Sequence, residues 1–220
     1  MALVVHHLNN SRSQRVLWLL EELGVPYDIK HYQRLPNMLA PPELKRVHPL
    51  GKSPVIVDNG VVVAESAAII DYIVDKYGEG RLRPSAGTPE AEQYRYWMFA
   101  AEGTVMPPLL MRLIFRKIVS ERKPFFIQPI VKKIASSVES MLIAPNINAN
   151  LDFQEETLAR STWFAGVQFS AADVMMSFPI EAARHSADLS KRPHLLKFLE
   201  VIHARPAYKR ALERGGPYEI

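Results

Sequence analysis

Residues 53–63 restrict the fold more than any other stretch: Ser53-Pro54-Val55-Ile56-Val57, then Asp58-Asn59-Gly60, then Val61-Val62-Val63. β-Branched side chains favour the pleated sheet, and Asn-Gly supplies the left-handed backbone of a two-residue hairpin turn, so two antiparallel strands are predicted here. Upstream, Ala2 to His6 is a short apolar run suited to a buried strand. Val16, Leu17, Leu19, Leu20 and Leu23 then recur at helical spacing until Gly24 stops the helix, and Pro26 to His31 reads as a second strand. A helix between two strands implies a parallel, right-handed crossover. A Pro-rich loop, Leu35 to Pro42, and a short helical piece, Glu43 to Val47, lead into the hairpin. Glu65 and Ser66 open a helix whose Ala68, Ile69, Tyr72 and Ile73 share one face, and Gly78 ends it.

The order β-α-β-α-β-β-α over the first 78 residues describes a thioredoxin-like α/β domain. From Gly78 to Thr88 three glycines and Pro84 mark a boundary. No strand pattern follows it. Pro89 with Glu90 and Glu92 suits a first helical turn, and Pro107-Pro108 is predicted to kink or end that helix. Further helices are expected over Phe125–Leu142, Asn150–Arg160, Ala172–Ser186, Leu195–Ala204 and Ala207–Arg214. The predicted organisation is a thioredoxin-like domain at 1–78, a linker at 79–88 and an all-α domain at 89–220.

Composition removes several function classes. The absence of cysteine excludes disulfides, a cysteine nucleophile, a zinc ribbon and an iron–sulfur cluster. Twenty-seven Lys and Arg against 23 Asp and Glu give +4, a small excess for 220 residues. Between Arg81 and Lys133 ten basic residues face four acidic ones. A solvated basic helix face or attraction of small anions explains this better than nucleic acid, for which no recognition motif is present. Met1 to His6 is too short for a secretory apolar region, and stretches such as Pro54 to Val63 fall well short of a membrane span, so a soluble cytoplasmic protein with no membrane partner is expected.

The segment joining the first strand and helix is His7-Leu8-Asn9-Asn10-Ser11-Arg12-Ser13-Gln14-Arg15. A helix start concentrates unpaired N–H groups and positive dipole, so Asn10, Ser11 and Ser13 either cap the helix or help to hold an anion. Glu65-Ser66 at the next helix start allows the same two readings, and Lys52 adds a cation beside Ser53. Together they suit a small zwitterion bearing two acids. An X-Pro bond is cis in only about one case in twenty, so the residues leave Ser53-Pro54 open. His6 and His7, adjacent on a strand, point to opposite faces, so neither pairs with the other on a metal, and no metal is expected. Tyr96, Phe99, Met106, Leu110 and Ile114 form an apolar row that either packs in the core or faces a cleft. Arg112 and Arg116 either draw an anionic electrophile or are solvated.

Three segments resemble cytosolic glutathione S-transferases. They are Asn10-Ser11-Arg12-Ser13-Gln14-Arg15-Val16-Leu17 running to Gly24-Val25-Pro26-Tyr27, Pro49-Leu50-Gly51-Lys52-Ser53-Pro54-Val55 followed by Glu65-Ser66-Ala67-Ala68-Ile69, and Phe169-Ser170-Ala171-Ala172-Asp173. The run Ala101-Glu102-Gly103-Thr104-Val105-Met106-Pro107-Pro108 further resembles a yeast-type subgroup with bacterial and fungal relatives. The resemblance implies glutathione as co-substrate with no permanently bound cofactor, a small hydrophobic electrophile as acceptor, and a homodimer. It implies that Ser53, before a cis Pro54, pairs by main chain with the cysteinyl part, that Glu65 and Ser66 hold the γ-glutamyl end, and that Lys52 lies near the glycyl carboxylate. Ser170 and Asp173 form a capping box that supports the helical domain. Counting back from Arg15, the position that activates the thiol falls on Ser11, with Asn10 second; a catalytic tyrosine is absent because His6 and His7 stand there. Tyr96, Phe99, Met106 and Leu110 are the implied acceptor pocket. A glutathione-dependent peroxidase or disulfide reductase, and a non-catalytic carrier of glutathione or apolar ligands, are the rival functions.

Overall fold

The computed structural model describes residues 3–216 and 218. Ala2, at the start of the first expected strand, lies outside them. β1 (Leu3–Leu8) pairs in parallel with β2 (Tyr27–Tyr32) and antiparallel with β3 (Val55–Asp58), which pairs antiparallel with β4 (Val61–Ala64), in the order β2-β1-β3-β4. Asn59 and Gly60 both adopt positive φ, 50° and 87°, as the two-residue turn requires. The turn is anchored from below: the buried Asp58 carboxylate accepts hydrogen bonds from Tyr72 (2.8 Å), Lys76 (2.5 Å) and Tyr77 (2.6 Å) of the following helix.

α1 (Ser13–Leu23) ends at Gly24, whose left-handed φ of 69° closes the helix onto Leu20. Val16, Leu17, Trp18, Leu19 and Leu20 have no exposed surface because α1 is enclosed by the sheet, α2 (Ser66–Tyr77), α7 (Ala171–Ser186) and α9 (Pro206–Gly215). Each such side chain contributes about 1.5–3 kcal/mol of apolar burial. The other side of the sheet holds a small cluster of Leu8, Tyr32 and Leu44. Leu44 comes from a 3₁₀ turn, Pro42–Arg46, where the sequence predicted a short helical piece at Glu43–Val47.

The remainder is helical. α3 (Pro89–Ala100), a π turn (Ala101–Val105) and α4 (Met106–Ser120) form one uninterrupted run, Pro89–Ser120. Pro107-Pro108 therefore does not end the helix. The wider turn just ahead of the prolines accommodates their missing N–H donors. The same device recurs at the π turn Glu139–Ile143, ahead of Pro145, which joins α5 (Gln128–Val138) to α6 (Ala144–Arg160). The two helices expected at Phe125–Leu142 and Asn150–Arg160 are thus one run over 128–160. By length and composition Pro89–Ser120 could cross a bilayer, but its inner face, with Trp97, Ala101 and Val105, is buried in the core. α8 (Pro193–Ala204) and α9 complete the fold around α7.

Ser170 and Asp173 start α7 as the capping box predicts. The Asp173 carboxylate accepts from the Ser170 N–H (2.8 Å) and hydroxyl (3.0 Å) and from the Phe164 N–H (2.8 Å). Complete burial pushes this carboxyl up to about 6, with the three donors pulling against that rise.

Candidate functional site

Strand register assembles the site. His6 lies opposite Val55, and Val55 opposite Ala64, so β1 ends, β3 begins and β4 ends on the same edge of the sheet. The segments that carry Asn10 and Ser11, Lys52 to Pro54, and Glu65 and Ser66 therefore leave the sheet side by side, where α1 and α2 present their N-termini. Helix starts favour anions, and two of them converge here. The Ser53-Pro54 bond is cis, and the Ser53 hydroxyl donates to the His6 carbonyl at 2.9 Å. Lys52 is exposed. Glu65 has φ 75° and ψ 130°, a conformation costly for a residue with a Cβ, and such strain concentrates where side chains are held for function.

The β1–α1 turn is closed by its own polar groups. The buried Ser11 hydroxyl donates to the Leu8 carbonyl at 2.7 Å, accepts the Ser13 N–H at 3.3 Å and lies 2.7 Å from the Ser13 hydroxyl. Ser11 thus ties the turn together just ahead of α1, whose N-cap residue, Arg12, makes no side-chain cap, and the Ser11 hydroxyl finds its partners within that turn. Ser13 meets His7 Nδ1 at 2.9 Å; burial, and then the neighbouring His31, push the His7 imidazole down to about 4, so it is neutral near pH 7. Asn10 is half-buried, in a left-handed conformation (φ 48°) that asparagine tolerates, and the Arg34 guanidinium donates to its carbonyl at 3.1 Å. The Arg34 N–H also donates to Asn9 Oδ1 at 2.7 Å, which fixes the loop from its outer side.

Beneath Ser66 lies a charged node that sequence reasoning did not single out. Arg15, 1% exposed, donates to Ser66 Oγ (3.0 Å), to the Met175 carbonyl (2.7 Å) and to the Glu102 carboxylate. Proline at position 179 explains the second partner. Pro179 has no N–H to return to the carbonyl four residues earlier, which is Met175, and Arg15 fills that vacancy. Glu102, in the π turn, also pairs with Arg12 at 2.9 Å. Burial lowers the Arg15 pKa and Glu102 opposes the fall; burial would raise the Glu102 carboxyl, but the two guanidiniums hold it below its ordinary value. An arginine inside an otherwise apolar helix, and a proline inside another, were the available signals.

The acceptor residues implied by the sequence, Tyr96, Phe99, Met106 and Leu110, lie along the α3–α4 run. Tyr96 packs its ring edge-to-face on Trp97 and Phe153. Phe99, 69% exposed, lines a groove with Ala67, Ala68 and Asp71 of α2. Met106 belongs to the core. Glu102, Met106, Leu110 and Ile114 recur every four residues, which keeps Met106 and Leu110 near the side of the helix that carries the ion pair. Arg112 is buried, bonded to the Ser186 carbonyl (3.0 Å) and Glu139 (2.5 Å), and Arg116 donates to the same carbonyl at 3.1 Å. Both tie α4 to the C-terminus of α7, where cations are favoured. Among the described residues no group of three or more His, Asp or Glu is placed to hold a metal ion.

The family model for the glutathione S-transferase N-terminal domain matches residues 11–76, and that for the C-terminal domain matches residues 124–206. Glutathione S-transferase 3 of Schizosaccharomyces pombe is 40% identical over 214 residues, covering 96% of this chain and 87% of its own. The chain belongs to the glutathione S-transferase family. Glutathione S-transferase 1 of Saccharomyces cerevisiae is 32% identical over 220 residues, covering 96% and 94% of the two chains. A glutathione S-transferase structure from Actinobacillus pleuropneumoniae matches with TM-score 0.80 at 32% identity, over 97% of this chain and 92% of its own. Fungal, yeast-type transferases are therefore among its relatives, and the thioredoxin-like sheet followed by a helical domain is the fold it shares with them. The glutathione S-transferase N-terminal match contains all of Ser11, Ser53, Glu65 and Ser66.

Proposed function

We propose that this chain binds glutathione at the sheet edge, lowers the pKa of its thiol, and transfers the thiolate to a small apolar electrophile. In this reading residues 1–78 hold the tripeptide and 89–220, joined through 79–88, supply the acceptor wall. The γ-glutamyl carboxylate rests on the Ser66 hydroxyl and the first N–H groups of α2, and its amine pairs with Glu65. Ser53 pairs by main chain with the cysteinyl part, and Lys52 takes the glycyl carboxylate. The observation that carries the proposal is the Arg15–Ser66 bond at 3.0 Å. Because Ser66 Oγ accepts from Arg15, its own proton is left to donate, and a carboxylate is the natural acceptor there.

The sulfur then lies against the β1–α1 turn. Lowering a thiol of pKa ~8.5 by two units requires about 2.7 kcal/mol. One hydrogen bond to the charged form supplies about 1.5–3 kcal/mol, and the helix start about 0.3–1 kcal/mol. We assign the donor to Asn10, which is half-buried at the turn while Ser11 is only 5% exposed and holds the turn together, with Ser11 second. The proton leaves to solvent, the sulfur attacks the electrophilic carbon, and the leaving group departs with its electron pair. We take the half-exposed apolar row Leu110 and Ile114, on the helix that carries Met106, as part of the wall for the acceptor. Two chains pair through the groove that exposes Phe99, and the protein works in the cytoplasm.

Turnover of glutathione with a chlorodinitrobenzene-type electrophile well above the uncatalysed rate is the expected result. Activity confined to hydroperoxides or mixed disulfides, or saturable glutathione binding with no turnover of any acceptor, would overturn the transferase reading.

A further inference from the structure

The tip of the α4–α5 hairpin presents two features together. Phe125 is 88% exposed and Phe126 62% exposed, with their rings in edge-to-face contact at 5.6 Å. Ile118 and Ile130 extend the exposed apolar surface on either side of the turn. Between Arg116 and Lys133 six lysines and arginines stand against one acid, Glu121, so eighteen residues carry +5 when the whole chain carries +4. The tip is closed by side-chain-to-backbone hydrogen bonds: Lys123 Nζ donates to the Ile118 and Glu121 carbonyls, and the Gln128 side-chain amide donates to the Val119 carbonyl at 2.8 Å. Its aromatic rings are thus held outward by an ordered turn.

We propose that this tip docks on an anionic lipid surface, with Phe125 and Phe126 entering the headgroup–acyl boundary and the exposed cations Lys117, Arg122, Lys132 and Lys133 facing acidic headgroups. Charge complementarity selects the partner. A second copy would bring +5 against +5, whereas the cytoplasmic leaflet is negative and attracts clusters of four to eight basic residues at about fivefold in affinity per charge. Aromatic side chains on a basic, ordered element give the second, apolar signal that stable peripheral binding needs. Contact of this kind is peripheral, and it revises the expectation from sequence that the chain has no membrane partner. Leu110 and Ile114, both about half exposed, continue the row from Ile118 back toward Glu102, so docking sets the outer end of that row on lipid. Apolar electrophiles concentrate in lipid, a consequence that rests on the transferase reading; the docking itself does not.

Cosedimentation of the full chain with vesicles of equimolar phosphatidylserine and phosphatidylcholine tests the proposal, with pure phosphatidylcholine vesicles as the control. Binding to the acidic vesicles, weakened by salt and weaker by an order of magnitude on the neutral ones, is expected. Lys132→Gln and Lys133→Gln should each lower it about fivefold, and Phe125→Ser with Phe126→Ser at least tenfold, while glutathione affinity and the melting temperature stay at wild-type values. No association with acidic vesicles overturns the proposal. So does association that the paired serine substitution leaves unchanged, or equal retention on polyglutamate or RNA, because either marks a purely electrostatic surface.

Discussion

Replacing Glu102 with Gln should separate a structural ion pair from a surface one within a single residue. The Glu102 carboxylate receives both Arg15, whose side chain is 1% exposed, and Arg12, whose side chain is 33% exposed, and is itself 30% exposed. Removing one partner of a fully buried pair costs about 3–5 kcal/mol because the other charge is left in a poor solvent. Here Glu102 is partly wet and the amide keeps one acceptor oxygen, so we expect about 2–3 kcal/mol. For a chain of this size that corresponds to a fall of about 5–10 °C in Tm. Arg12→Gln removes only the more exposed contact and should cost about 0–1 kcal/mol. Glu102→Gln should also weaken glutathione binding, since Arg15 holds Ser66 and would relax from it. Thermal and denaturant unfolding of the two variants, followed by titration with glutathione, give the comparison. If Arg12→Gln destabilises as much as Glu102→Gln, or if Glu102→Gln shifts Tm by under 2 °C, which is below the loss expected for a buried pair, the node is not what anchors Arg15.

Three further outcomes are expected. Asn10→Ala should lower turnover by about 10–100-fold, the loss of one hydrogen bond to a thiolate, with little change in glutathione affinity, whereas Ser11→Ala should chiefly lower stability; the opposite order in steady-state kinetics would put the sulfur on Ser11. His7 has a folded pKa of about 4, below the ~6.5 of the unfolded chain, so its contribution is intact above the upper value and is lost as pH falls toward the lower one. The loss reaches about 3 kcal/mol, and the stability difference between wild type and His7→Gln, measured by denaturant unfolding from pH 7 to pH 4, should shrink by that order. Phe99→Asp, on the groove beside α2, should convert a dimer to a monomer in sedimentation without loss of fold; an unchanged sedimentation coefficient would move the interface elsewhere.

Local signals made the sheet and its helices legible. Asn59-Gly60 dictated the hairpin, and the spacing of Val16 to Leu23 with Gly24 after it dictated α1, because in each case backbone preference and burial agree. The π turns were not legible, since a proline pair reads as a stop unless the preceding turn widens, and only tertiary packing decides that. The same limit applies to the site. Ser53, Glu65 and Ser66 could be named from their positions at strand and helix ends. The Arg15–Met175 bond could not, because it joins residues 160 apart through a carbonyl freed by Pro179. The neighbours of the acceptor row were not legible for a related reason: the contacts of Tyr96 with Phe153, and of Phe99 with the α2 side of its groove, join residues far apart in sequence.

A pH titration of the ultraviolet thiolate absorbance of glutathione, saturating on the protein, tests the central claim most directly. The midpoint should lie about two units below the ~8.5 of an unperturbed thiol, and Asn10→Ala should move it back upward. A midpoint that stays near the free value in the saturated complex would contradict the account, since the cradle would then bind the tripeptide without stabilising its charged sulfur.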